Sequence, residues 1–98
     1  MNAEFFEALA LLEKEKGISV EYLCEKIENA IAIAIRRDYI GTEDVKVVID
    51  PETRTFDVAI RKLVVEEVED TANQILIDKA LKYNKKAQLG DIVDIPLE

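Results

Sequence analysis

The sequence contains no histidine and no tryptophan, and it has one cysteine, Cys24, and one serine, Ser19. Without histidine, the nucleophile–base pairs of Ser–His and Cys–His enzymes cannot be formed. Zinc sites built from cysteine and histidine are excluded for the same reason. Acid–base chemistry would be left to carboxylates, lysine or tyrosine. The composition therefore argues against an enzyme.

Two further absences concern the compartment. No apolar run approaches the roughly 20 residues that cross a bilayer. The amino terminus shows no basic segment followed by an apolar stretch and a cleavage site. A lone cysteine cannot form an intramolecular disulfide and fits a reducing environment. We therefore expect a cytoplasmic protein without a membrane partner.

The balance of hydrophobic and charged residues predicts one folded domain over residues 1–98. Of these residues 49% are hydrophobic and 35% are charged, which suits a core with a hydrated surface. The formal net charge is −8. Because of this negative charge, the chain as a whole repels phosphate. A free-standing nucleic-acid-binding domain, by contrast, usually has a basic surface. A local basic patch remains possible.

Two helices are predicted at the amino terminus. Asn2 is suited to cap a helix over residues 3–16, which would bury a stripe of Phe5, Leu9 and Leu12 and end before Gly17. Ser19 is suited to cap a second helix. The buried stripe of this second helix comprises Val20, Cys24, Ile27, Ile31 and Ala34.

The segment 30–35 is ambiguous, because alanine and isoleucine alternate there as they would in a strand. Helix is favoured, since alanine is the best helix former and the apolar stripe continues without a phase break. Helical geometry places Ile33 off this stripe. Either the first helix covers Ile33 or it is an exposed apolar contact.

The second half of the chain predicts strands. A strand from Val45 and a turn at 50–53 lead into a returning segment over 55–68. Fourteen extended residues would span about 46 Å, too long for so small a domain, so a bulge or bend is predicted near Arg61 and Lys62. A short helix over 78–83 and a strand over 92–95 follow. The fold class is α+β: two amino-terminal helices, then a small, mainly antiparallel sheet with one short helix.

The succession of segments resembles a known family. The resemblance rests on the order and spacing of several segments. They are residues 15–19, which join the helices, residues 28–34, which lead into the basic and aromatic residues 36–39, and then residues 45–50, 61–68 and 89–91. Together they resemble the NusA amino-terminal domain over essentially the whole chain. Family members usually have Ser or Thr at the cap of the short third helix, where this sequence has Leu76. The S1 and KH domains that follow in the family are absent after Glu98.

The resemblance implies a non-catalytic module without cofactor, metal or small-molecule substrate. It would dock on the flap of RNA polymerase near the RNA exit channel, and would modulate pausing, termination and antitermination. Contact with a nascent RNA hairpin would occur mainly in the full-length factor. An alternative from another class is an acidic α+β adaptor that binds proteins unrelated to transcription.

Five basic residues are candidates for contact with polymerase or RNA: Arg36, Arg37, Arg54, Arg61 and Lys62. An ordinary solvated surface is the alternative for all five, with a favourable helix carboxyl end for the first two.

Two other features have simpler interpretations. The acidic run 66–70 could hold a hard cation only if its oxygens converged, and it is more typical of a soluble strand edge. Cys24 lies on the apolar stripe and is interpreted as a core residue.

Overall fold

A computed structural model describes residues 2–97, without the side chain of Asn2. The predicted N-cap at Asn2 depends on that side chain and lies outside the described part. Three helices and four strands follow one another as α1 (Asn2–Lys16), α2 (Val20–Asp38), β1 (Val45–Asp50), β2 (Thr55–Val65), β3 (Gln74–Leu76), α3 (Ile77–Ala80) and β4 (Ile92–Pro96). The predicted α+β fold is confirmed.

Local signals define the junction between α1 and α2. Gly17 ends α1 with φ of +70°, a conformation that glycine adopts without a Cβ clash. Ser19 caps α2, since its side chain accepts a hydrogen bond from the Tyr22 N–H at 3.1 Å. The predicted cap of the second helix is confirmed.

Helix α2 continues without interruption through the ambiguous segment 30–35. Cys24 and Ile35 are buried on its inner face, whereas Ile33 is 65% exposed. The second of the two alternatives for Ile33, an exposed apolar side chain, is therefore correct.

Strand β2 is the centre of the sheet. Along one edge it pairs antiparallel with β1 and then parallel with β3; along the other edge it pairs antiparallel with β4. The backbone hydrogen bonds define the two edges of β2. The Arg61 and Leu63 N–H groups donate toward the edge with β1 and β3, whereas the Val64 N–H donates to the Asp91 carbonyl at the edge with β4.

The predicted bulge near Arg61 and Lys62 is wrong. All three registers of β2 are uninterrupted, and β2 ends at Val65 rather than at residue 68. The described chain measures 53 × 27 × 19 Å, so an 11-residue strand of about 36 Å fits along its length. Only the predicted change of pairing partner is confirmed.

Two hydrophobic clusters lie along this length. The first lies between α1, α2 and the β1–β2 hairpin, and its buried members are Phe6, Leu9, Cys24 and Ile49. The second lies around the far half of β2 and α3, and its buried members are Val64, Ile75, Ala80, Ala87 and Val93.

Two predicted details of the helices are wrong. Phe6 and Leu9 are the buried residues of α1, whereas Leu12 is 40% exposed. Helix α3 begins one residue earlier than predicted and ends at Ala80 rather than at residue 83. Its N-cap is Leu76, which makes no side-chain capping bond.

The hairpin turn between β1 and β2 contains a strained position. Arg54 has φ of +57°, and it is the only non-glycine residue in 2–97 with a positive φ. Replacing Arg54 with glycine should raise the free energy of unfolding by about 0.5–1 kcal/mol, because glycine adopts this conformation without steric cost. Chemical denaturation would measure the change. Glu52→Gly is the matched control in the same turn, and we expect it to lower the stability by a similar amount.

Candidate functional site

The last turn of α2 presents two of the five candidate residues together. The side chains of Arg36 and Arg37 are exposed. The Arg37 Nε atom lies 3.4 Å from Asp38 Oδ1, with 75% of the arginine side chain exposed, so this pair is weak. Among residues 2–97, Arg36 takes part in no ion pair. Two solvated guanidinium groups therefore lie at the negative end of the helix dipole.

The residues around this helix end hold it in place. Ile35 is buried immediately before Arg36, and the Tyr39 N–H closes the helix by donating to the Ile35 carbonyl at 2.8 Å. The Thr42 N–H then donates to the Tyr39 carbonyl at 3.1 Å. The two arginines thus extend from an ordered segment.

Exposed apolar side chains accompany the two arginines. Ile33 lies three and four residues before them, hence on the same side of α2. Ile40 is 90% exposed and lies two residues after the end of α2, next to the C-cap Tyr39. The sequence showed Ile33 as a possible exposed contact, but Ile40 was missed, because it lies beyond the helix and outside its periodicity.

Arg54 lies at the other end of α2. It borders a depression of about 250 Å³ that Phe6, Glu13 and Val20 also line. From Val20 to Arg36 the helix rises by about 24 Å. Arg54 therefore cannot belong to the same small patch as Arg36.

Arg61 lies on the sheet face opposite the helices. Its Nε atom lies 3.1 Å from Asp94 Oδ1, and Asp94 also pairs with Lys46 at 3.0 Å. A longer contact of 4.0 Å joins Arg61 to Asp44. These side chains are about two-fifths to one-half exposed, so each pair contributes little to stability, but together they occupy the guanidinium.

Lys62 lies on the other face of β2, because consecutive side chains in a strand alternate. Its Nζ atom donates to the Thr71 carbonyl at 2.6 Å. The structure therefore brings together only Arg36 and Arg37, and it places the other three candidates at separate locations.

A group of hydrogen bonds anchors the loop that follows α2. The Asn73 amide nitrogen donates to the Gly41 carbonyl and to Asp70 Oδ2, both at 2.8 Å. The Asn73 amide oxygen accepts from the Glu43 N–H at 2.9 Å. We call these residues the Asn73 anchor. It was missed from the sequence, because a single asparagine in a loop carries no periodic signal.

The acidic run 66–70 offers no converging set of ligands. In the described part of the chain, no group of three or more His, Cys, Asp or Glu side chains could hold a metal ion. Asp70 is instead bound by Asn73 and by the Ala72 N–H. The hydrogen bond from the Asn73 side chain, aided by the backbone N–H groups, lowers the pKa of Asp70 below its ordinary 3.8.

Cys24 is buried in the first cluster, as predicted. Burial, followed by the nearby carboxylate of Glu28, raises the pKa of its thiol above 9.0. A thiol with a raised pKa forms little of the reactive thiolate at neutral pH. Of the helices in 2–97, none is both long and apolar enough to span a membrane.

The chain is similar in sequence to transcription termination/antitermination proteins. The chain is 41% identical over 95 residues to a transcription termination/antitermination protein NusA of Halalkalibacterium halodurans. It is 40% identical over 95 residues to that of Bacillus subtilis strain 168. Each match covers 97% of this chain and about a quarter of the relative, 25% and 26% respectively. The names of both relatives refer to transcription termination and antitermination.

The family model described as the NusA N-terminal domain matches residues 4–98. The solution structure of the N-terminal domain of NusA from B. subtilis superposes with a TM-score of 0.72 at 39% identity, covering 100% of this chain and 79% of that one. The chain belongs to the NusA N-terminal domain family. The resemblance noted from the sequence is confirmed.

Proposed function

We propose that residues 1–98 form a module that docks on RNA polymerase, at the flap beside the RNA exit channel, and that modulates pausing, termination and antitermination. The family match over residues 4–98 carries this proposal. The names of the relatives, which refer to termination and antitermination, support it. The module works in the cytoplasm, where transcription takes place in bacteria.

The proposed mechanism is a shift in populations. A factor that binds the hairpin-containing paused complex better than the elongating complex increases the occupancy of the paused state. No bond is made or broken, so the module itself needs neither cofactor nor small-molecule substrate. The net charge of −8 disfavours strong RNA binding by this chain alone. Contact with the nascent RNA hairpin therefore occurs mainly in the context of the full-length factor.

Arg36 and Arg37 are the residues best placed for contact with the polymerase–RNA assembly. They are adjacent, exposed and attached to an ordered helix end. Arg54 would make a separate contact at the hairpin turn. Arg61 and Lys62 would have to exchange their present partners, Asp94 and the Thr71 carbonyl, for such a contact.

A double charge reversal tests this assignment. Replacing Arg36 and Arg37 with glutamate should lower the free energy of unfolding by only about 0.5–1 kcal/mol at low salt, through the helix dipole. The same change should markedly reduce hairpin-dependent pausing, measured in transcription assays with the domain joined to the remaining domains of a NusA relative.

The matched control reverses Lys85 and Lys86, two exposed lysines in the loop after α3. We expect this pair to leave pausing nearly unchanged. If neither pair affects pausing, or if only the lysine pair does, the site assignment is wrong. A pull-down of core RNA polymerase with the unmodified chain tests the docking itself, and failure to retain polymerase would favour the alternative of an unrelated adaptor.

A further inference from the structure

Strand β1 has a free edge with unused backbone groups. The Arg61 N–H donates to the Asp44 carbonyl at 2.9 Å, so the even-numbered residues of β1 bond to β2 and the odd-numbered residues face outward. The outward Ile49 N–H donates to Glu28 Oε2 at 2.8 Å. Within residues 2–97, no group accepts a hydrogen bond from the N–H of Val45 or Val47. Two donors and their two carbonyl acceptors are therefore open at this edge.

The free edge of β4 is better protected than that of β1. The Val64 N–H donates to Asp91, so the even-numbered residues of β4 face outward. Pro96 is one of them, and it has no N–H to offer. On β1, by contrast, no proline interrupts the strand, and the charged Lys46 side chain is directed to Asp94 on the far face of the sheet. Charged side chains and prolines are the usual protection of an edge, and the β1 edge has neither along Val45 and Val47.

A groove runs beside these two residues. Its volume is about 520 Å³, and the α2 residues that form its wall include Asn29, Ile33 and Arg36. From Glu28 to Arg36 the helix rises by about 12 Å, and from Ile49 to Val45 the strand covers about 14 Å. The helix therefore follows the strand in the opposite direction over the full length of the edge.

The groove has opposite charges at its two ends. Arg36 lies at the end with Val45, whereas the Glu28 carboxylate lies at the end with Ile49. The exposed Ile33 lies between them in the sequence and in the groove wall. An occupant that complements this pattern carries an acidic, an apolar and a basic side chain in that spatial order.

We propose that the β1 edge binds an extended segment of a partner protein, which adds a strand antiparallel to β1. Residues opposite each other in neighbouring strands point to the same face, so alternate side chains of the segment would meet the groove wall. The segment would place a basic residue opposite Ile49, an apolar residue opposite Val47 and an acidic residue opposite Val45. This inference does not depend on the polymerase proposal, with which it shares only Arg36.

The net charge of the chain indicates that the bound segment comes from a different protein rather than from a second copy of this chain. Each copy carries a formal net charge of −8, and like charges of this size oppose self-association.

The test uses a capped peptide with the central sequence Lys-Thr-Val-Thr-Glu and a matched peptide with the two charges exchanged. In the free protein, the Val45 and Val47 amide protons should exchange quickly, whereas the Lys46 and Val48 amide protons should be protected. The first peptide should slow exchange at Val45 and Val47 by about tenfold or more, as measured by NMR. The exchanged peptide should bind about fivefold more weakly, the upper range for exposed ion pairs.

Two variants separate backbone pairing from charge recognition. Val47→Pro removes an outward donor without removing a β1–β2 bond, and it should weaken binding more than tenfold. Arg36→Glu keeps the fold and should abolish the preference between the two peptides, because each peptide then meets one attractive and one repulsive charge in the groove. The proposal is overturned if about millimolar peptide leaves exchange at Val45 and Val47 unchanged, or if Arg36→Glu does not alter the preference. It is also overturned if the chain alone forms a dimer that protects the same two amides.

Discussion

Replacing Phe6 with alanine should lower the free energy of unfolding by about 3–5 kcal/mol, the range for removing a buried aromatic side chain. Phe6 is only 4% exposed and joins α1 to the cluster that contains Cys24 and Ile49. Its ring packs edge-to-face against Phe5 with centroids 5.1 Å apart, and Phe5 in turn packs against Phe56 at 5.5 Å. Alanine would leave a cavity at the point where α1 meets the hairpin. Equilibrium denaturation would measure the loss.

The labelling rate of the Cys24 thiol measures locally how much packing Phe6→Ala removes from this cluster. In the unmodified chain its thiol is buried and should resist labelling without denaturant. In Phe6→Ala the cluster around it opens more often, so labelling should be faster. Leu12→Ala is the matched control on α1, because Leu12 is 40% exposed. We expect a loss below about 1 kcal/mol for the control. Equal losses for the two variants would contradict the assigned role of Phe6.

Features set by neighbouring residues could be predicted from the sequence. The Ser19 cap needs only the chemistry of one hydroxyl and the N–H three residues later. The end of α1 needs only a glycine at the position with positive φ. Arg36 and Arg37 could be placed together because they share one helical turn, whatever the rest of the chain does.

Features that depend on overall shape could not be predicted. The expected limit on the length of β2 rests on the small size of the domain, but the two clusters lie one after the other along a 53 Å molecule. An elongated arrangement removes the need for a bulge. The exposure of Leu12 could not be predicted either, since helical periodicity shows which side of α1 is apolar but not which of its residues the rest of the chain covers.

The partners of Arg61 and Lys62 could not be predicted, because they are set by the sheet topology. Arg61 and Lys62 are adjacent, yet strand geometry sends them to opposite faces, where Asp94 and the Thr71 carbonyl engage them. The partners of both residues lie 33 and 9 positions away, and only the sheet topology brings them into contact.

Replacing Asn73 with alanine should lower the free energy of unfolding by about 1–3 kcal/mol, because it removes three side-chain hydrogen bonds, each of which contributes about 0.5–1.5 kcal/mol net. Asn73 bonds the Gly41 carbonyl and the Glu43 N–H, which lie on either side of the buried Thr42, and it also bonds Asp70. The anchor thus joins the loop after α2 to the segment before β3. Asn84→Ala is the matched control, since within residues 2–97 the Asn84 side chain makes a single hydrogen bond, which it accepts from the nearby Lys86 N–H. We expect the control to lose less than about 1 kcal/mol.

The pH dependence of Asp70 provides a second test of the same anchor. The Asn73 amide is the largest cause of the lowered pKa of Asp70. A carboxyl group with a lowered folded-state pKa adds stability above its ordinary pKa and loses that contribution as the pH falls through the folded-state value. In Asn73→Ala the pKa of Asp70 should therefore return toward 3.8, and the stability difference between the two chains should shrink in acid. NMR titration of the Asp70 carboxyl carbon measures the first effect and acid denaturation the second. An unchanged Asp70 pKa in the variant would show that the backbone N–H groups of residues 72 and 73, rather than the Asn73 side chain, hold this carboxylate.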